Sequence, residues 1–285
     1  MIESSLVGSD PRGYDPGVDA TQLAALIGPD SSLSTPIVVA STGSTNADLA
    51  SGSYGWAAGR VLISNHQSAG RGRFDRRWEA EPGQAIATSV LLRPARALHD
   101  WGWLSFLIGM AVQATISELP GAAARVTLKW PNDVLVDERK ICGILSEHHI
   151  APDGGHVAIC GWGLNVQMSE AELPVPTATS ISLADLPVDH TRLAAAMLNH
   201  FDELYRAWDA GADLRAHYRE LCSTLGRRVR VQLDVESLPD RFVEGIALDV
   251  TEDGSLIVRD TDGSLQRFSA GDVVHLRPAT ASEER

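Results

Sequence analysis

From Pro36 onward the chain is punctuated by short apolar runs, PIVVAS, RVLIS, QAIATSVLL, RVTLKW, KICGILSE and HVAICGWGLNV, which are suited to strands. Two longer stretches instead repeat apolar residues with a helical period. The first begins near Asp100 and places Leu104, Leu107, Ile108, Ala111, Val112 and Ile116 on one face before Pro120-Gly121 ends it; the second runs from about Thr191 with Leu193, Met197, Phe201, Leu204, Tyr205 and Trp208. A strict strand–helix alternation is missing, so the expected class is α+β, a mixed sheet packed with helices.

The ends of the chain read differently. Residues 1–36 are rich in Gly, Pro, Asp and Ser and hold one short helical pattern, with Asp19 as cap and Leu23, Leu26 and Ile27 apolar before Gly28-Pro29. Past Leu225-Gly226, alternating Val229, Val231 and Leu233 and hairpin signals at Asp253-Gly254 and Asp262-Gly263 predict a small all-β module ending near Pro278. Such a module, about 55 residues, is small enough to need docking on its neighbour. The expected division is an arm over 1–36, a sheet-and-helix domain over 37–224, a β-module over 225–279 and a tail over 280–285.

Charge and composition narrow the function. With 24 Lys+Arg against 37 Asp+Glu, the 285-residue chain carries a formal charge of -13, which argues against wholesale binding of nucleic acid. Cys142, Cys160 and Cys222 fit neither a disulfide framework nor a Cys-x-x-Cys metal site, and the N-terminus lacks the basic start and apolar run of a signal peptide. A cytoplasmic protein is expected. The longest apolar stretch, Trp101 to Leu119, includes Gly102, Gly109, Gln113, Thr115 and Glu118 without basic flanks, so it predicts a buried helix and not a membrane span.

Against this acidic background, residues 67–78 read QSAGRGRFDRRW, concentrating Arg71, Arg73, Arg76 and Arg77 around glycines and aromatics. Glycines allow backbone amides near a bound anion and arginines supply forked, charge-assisted hydrogen bonds, so a small-anion loop follows; a solvated basic loop is the plainer alternative. Residues 129–133, KWPND, leave a strand, and Pro131 puts Asn132-Asp133 in a turn at a sheet edge, with the strand restarting at Lys140. There Gly143 would let a ligand lie close to the backbone, and Lys140 could face a buried anion or merely end a hairpin. Gly161, Trp162, Gly163 and Asn165 form a glycine-opened strand end, or a bulge. Ser44-Thr45-Asn46-Ala47-Asp48 reads as a helix start whose hydroxyls cap the helix or face a pocket. His148, His149 and His156 lack a carboxylate or thiol at ligand spacing and read as surface histidines. No G-x-S-x-G, Walker or Rossmann fingerprint occurs.

Taken in order, STN, QSAGRGR…RRW, KWPND, RKICGIL and GWGLN resemble the catalytic domain of biotin protein ligases, and the β-module resembles that family's SH3-like C-terminal domain, over roughly residues 37 to 278. The resemblance implies a class II synthetase-like fold and an ATP-dependent, two-step reaction. Biotin and ATP would form biotinyl-5′-AMP, and a lysine of a biotin carboxyl carrier protein domain of a biotin-dependent carboxylase would then displace AMP. It implies biotin contacts at Ser44, Thr45, Asn46, Gln67, Arg71, Gly72, Arg73, Lys140, Gly143, Gly161 and Gly163, nucleotide contacts at Arg76, Trp78, Asn132 and Asn165, and catalytic roles for Lys140, Arg73 and Asp133. Mg2+ is expected with ATP, its ligands unassigned. Some members carry an N-terminal winged helix-turn-helix, for which the leading 36 residues are too short, so the resemblance is to the monofunctional ligases, monomer or homodimer. The alternatives are a lipoate ligase or octanoyl transferase of related fold, or a non-enzymatic nucleic-acid binder, which the acidity disfavours.

Overall fold

The computed structural model describes residues 17–74, 76–232, 242–269 and 271–276. The predicted residues 1–16, Leu233, Pro278 and the tail over 280–285 lie outside them. In chain order the elements are α1 (Ala20–Leu26), β1 (Ile37–Val39), α2 (Thr45–Ala50), β2 (Arg60–Ser64), β3 (Gly70–Arg71), β4 (Arg77–Trp78), β5 (Ala85–Leu92) and α3 (Trp103–Ser117). Next come β6 (Val126–Lys129), β7 (Asp133–Val136), β8 (Arg139–Ile150), β9 (His156–Asn165), α4 (His190–Asp209) and α5 (Arg215–Leu221). The chain closes with β10 (Arg228–Gln232), β11 (Phe242–Val250), β12 (Leu256–Asp260), β13 (Leu265–Phe268) and β14 (Asp272–His275).

Seven strands form one mixed sheet in the order β1-β2-β5-β9-β8-β7-β6, parallel between β1 and β2 and antiparallel elsewhere. Because strand side chains alternate, β9 sends Ala158, Cys160, Trp162 and Leu164 into the apolar layer shared with α3 and α4, while Gly161 and Gly163 face the other side. The α+β reading holds. Asp19 caps α1 by accepting from the Gln22 amide, and α1 lies on α4, where Asn199 accepts from Gly28 N at 3.1 Å and donates to Leu26 O at 3.0 Å.

The C-terminal strands make an antiparallel sheet in the order β13-β12-β11-β10-β14, in keeping with an SH3-like module, with hairpin glycines at φ 84° (Gly254) and 92° (Gly263). Its inward Val229, Val231, Leu256, Val258 and Phe268 belong to the same apolar cluster as the main sheet and helices. Indole donors fasten the C-terminal sheet's β11–β12 hairpin to the larger layer: Trp130 Nε1, just after β6, to Gly254 O at 3.0 Å and Trp103 Nε1 of α3 to Glu252 O at 2.6 Å.

Several elements depart from the sequence reading. Asp133 is not in the turn but opens β7, a four-residue strand between β6 and β8 that short length and flanking acids concealed. The two-residue strands β3 and β4 pair as a ribbon inside the arginine segment. Helix α5 was also unforeseen; it is recruited by Tyr218, which stacks on Phe106 of α3 with ring centroids 4.3 Å apart.

Candidate active site

The face of the sheet away from α3 and α4 receives the N-terminus of α2. Ser44 caps that helix through its side-chain oxygen, and Thr45 donates from both N and Oγ1 to Gln67 Oε1 at 2.8 and 3.0 Å. Ser89 on β5 lies 2.7 Å from Thr45 Oγ1 and 2.6 Å from Asn46 Oδ1, and Asn46 Nδ2 donates to Glu147 Oε2 at 2.8 Å and Leu145 O at 3.2 Å. Ser44, Thr45 and Asn46 are all buried. Asn46 fills the space over Gly161 that any larger residue's Cβ would need, which is why a glycine stands in this strand.

The neighbouring row crosses five strands in register: Lys129, Asp133, Gly143, Gly163 and Ala87. Trp78, carried in by the β3–β4 ribbon, lays its indole across both glycines; a Cβ at 163 would stand 2.5 Å from its ring and one at 143 would stand 3.0 Å away. From the same segment Arg71 pairs with Glu147 at 2.8 Å, and Arg73 donates to Asn132 Oδ1 at 3.2 Å and to Gly271 O at 3.3 Å. The arginine segment therefore touches the turn before β7 and the C-terminal sheet. Arg73 and Arg76 both lie near the Phe74 ring, at 4.9 and 6.0 Å.

Lys140 reaches this face only because β8 bulges. Its residues pair as Cys142 with Val134 and Lys140 with Leu135, so Ile141 is an extra residue in β8, and both Ile141 and Cys142 enter the apolar layer. The extra residue turns Lys140 back to the side of Gly143, where its Nζ meets Asp133 Oδ1 at 2.5 Å. Backbone bonds from Lys140 N to Thr177 O (2.7 Å) and from Thr179 N to Lys140 O (2.8 Å) pin the bulge. Asn165 holds the same segment by donating to Thr179 O at 2.9 Å, and Asn132 donates to Ile144 O at 2.8 Å. Burial pushes the adjacent Cys142 thiol up to about 12, so it stays a neutral core group and not a nucleophile.

These residues surround one cavity of about 410 Å³, a size suited to a small-molecule site. Every site residue nominated from the sequence lines it, Gly72 and Arg76 included. Six cationic side chains, Arg71, Arg73, Arg76, Arg77, Lys129 and Lys140, share the wall with one carboxylate, Asp133. In a chain of net charge -13 this is a local inversion suited to an anionic ligand. Sequence reasoning missed Ser89, Glu147 and the lip at residues 174–178. Alternation along β8 could have suggested Glu147, which shares a face with Gly143 and Leu145; the lip carries no local signal.

The Biotin/lipoate A/B protein ligase family matches residues 37–165, and the Biotin protein ligase C terminal domain matches residues 224–276. A biotin--[acetyl-CoA-carboxylase] ligase of Mycobacterium tuberculosis is 41% identical over 260 residues, 88% of this chain and 93% of the relative. The chain belongs to the biotin protein ligase family. Another relative, the bifunctional ligase/repressor BirA of Bacillus subtilis, is 28% identical across 82% of this chain and 71% of its own length. Among solved structures, the biotin protein ligase of Aquifex aeolicus in complex with biotin and ATP shares the family fold at a TM-score of 0.69, with 22% identity over 85% of this chain and 99% of that one. Motif order had pointed to this family, and the fold and the matches agree with it.

Proposed function

We propose that this protein activates biotin with ATP to biotinyl-5′-AMP and transfers the biotinyl group to a lysine of a biotin carboxyl carrier domain. The observation that carries this reading is a single cavity with a neutral hydrogen-bonding end, where buried Thr45 meets half-buried Gln67, and a cationic end at Lys140 and Arg73. Biotin has the matching halves, a neutral ureido ring with donors and acceptor, and a carboxylate on an apolar chain. Leaving such a polar partner unmet costs ~1–3 kcal/mol, so the neutral end selects for the ureido group.

In the first step a carboxylate oxygen attacks the α-phosphorus, the bond to the β-phosphate bridge breaks and pyrophosphate leaves. Two anions must approach, and fixed positive charge lowers that barrier. We assign this task to Lys140, oriented by its 2.5 Å pair with Asp133, and to Arg73. In the second step the acceptor amine attacks the carbonyl carbon, the bond to AMP breaks and the amine gives up a proton. Ser44, Thr45, Asn46 and Gln67 would hold the ureido end, Gly161 seating Asn46; Gly143 and Gly163 would seat the Trp78 indole, along which the acyl chain would run and which would shield the mixed anhydride from water. Asn132, Asn165 and Arg76 would lie toward the nucleotide.

Among the described residues no group of three or more His, Cys, Asp and Glu is placed to hold a metal ion. With one carboxylate on the wall, Asp133 is the residue that would hold Mg2+, and the ion would supply charge to offset the phosphates. We also place the protein in the cytoplasm, since all three cysteines are free and buried. Among the described residues no helix is long and apolar enough to cross a membrane. Incubation with biotin, ATP and Mg2+ should yield biotinyl-AMP by mass spectrometry; preference for lipoate in a parallel reaction would overturn the reading.

A further inference from the structure

The polar contacts beneath the cavity form a continuous chain, Gln67–Thr45–Ser89–Asn46–Glu147–Arg71, whose two ends lie four residues apart in the same segment. Gln67 begins the arginine segment and Arg71 sits in its ribbon, so the segment is tied down at both points, through α2, β5 and β8. Glu147 is the only ion in the middle of that chain. Its Oε2 accepts from Asn46 Nδ2 and from Arg71 Nη2, both at 2.8 Å, and its side chain is 21% exposed against 44% for Arg71.

We propose that Glu147 is a positioning residue that latches the arginine segment over the cavity through Arg71. The pair engages Arg71, one of the six cations on the wall, in holding the segment, a task distinct from the one assigned to Lys140 and Arg73. The ribbon that Arg71 belongs to also carries Trp78, because Arg71 pairs with Arg77 and Gly70 with Trp78. Releasing the latch therefore loosens the indole lid over Gly143 and Gly163. A carboxylate suits this role better than an amide, since a charge-assisted bond to guanidinium holds more tightly than a neutral one.

The test is Glu147→Gln in the full chain, which keeps an oxygen for Asn46 and removes the ion pair. In ligand-free protein, trypsin should cut after Arg73, Arg76 or Arg77, sites that every variant keeps, about tenfold faster than in wild type, the order expected for losing a charged hydrogen bond. The kinetic consequence depends on the proposed biotin reading: KM for biotin should rise by about the same factor while kcat at saturating biotin changes less than about twofold. Arg71→Gln breaks the link from the other side and must reproduce the faster cleavage, and the double variant must be no worse than either single one. Unchanged cleavage in both single variants, or additive effects in the double, overturns the latch. If Glu147 serves only stability, the melting temperature falls while the cleavage ratio and KM stay at wild-type values, which also overturns it. Should wild type form no biotinyl-AMP, the functional reading fails, and the proteolysis arm still decides the latch.

Discussion

At the α2 end of the cavity Ser44, Thr45 and Asn46 are buried and meet Gln67 and Ser89 through neutral hydrogen bonds, whereas at the β7–β8 end Lys140 and Asp133 are partly exposed and meet as ions. The difference separates two tasks. Neutral groups out of water discriminate well, because a mismatched partner goes unpaired, and they add no net charge. Ions near solvent discriminate poorly, yet they stabilise charge that builds up during reaction. One end should thus govern which acid binds, and the other how fast it reacts.

Removing the ion is the strongest challenge to that division. Lys140→Ala should slow biotinyl-AMP formation ~10²–10³-fold in kcat, the usual loss for one preorganised charged donor, with an unchanged circular dichroism spectrum. A rise confined to KM would erase the contrast between the ends. Thr45→Val, near in shape, strips the hydroxyl from Gln67 and Ser89; KM for biotin should rise up to ~100-fold, more than kcat falls, as steady-state assays would reveal.

Between the ends, Gly163→Ala would force Trp78 off the sheet, and overpacking of this kind typically costs ~1–3 kcal/mol. Its melting temperature should drop, and biotin should restore less of it than in wild type.

The smallest effect concerns the C-terminal sheet behind the charged end. Trp130 N donates to Thr224 Oγ1, which lies 3.0 Å from His275 Nε2, and burial, aided by Lys129 and Arg227, lowers the histidine from 6.5 to about 4. The native state therefore resists protonation that the unfolded chain accepts, so this contribution is present above about pH 6.5 and is lost as pH falls toward 4. A melting series from pH 7 to 4 should fall more steeply for wild type than for His275→Gln; parallel slopes would uncouple the KWPN turn from this sheet.

Much of this was readable beforehand for a physical reason: alternation and helical period are local, and they marked β5, β9, α3, α4 and the C-terminal hairpins. Short or composite elements escaped. β7 has four residues, each ribbon strand two, and α5 acquires its apolar purpose only where Tyr218 finds Phe106. At the site, residue kinds and their order along the chain selected the motifs, but not their mutual contacts. Nothing local links Glu147 to Arg71 across 76 positions.

The sequence by itself determined the sheet-and-helix class, the glycine-opened strands, the basic segment in an acidic chain and the family they resemble. Only the tertiary structure decided where Lys140 points. Simple alternation puts Lys140 and Gly143, three residues apart, on opposite faces; the extra Ile141, buried in the apolar layer and pinned in place by Thr177 and Thr179, brings them together. That choice depends on packing and on backbone partners almost forty residues away, which the pattern around Lys140 does not contain.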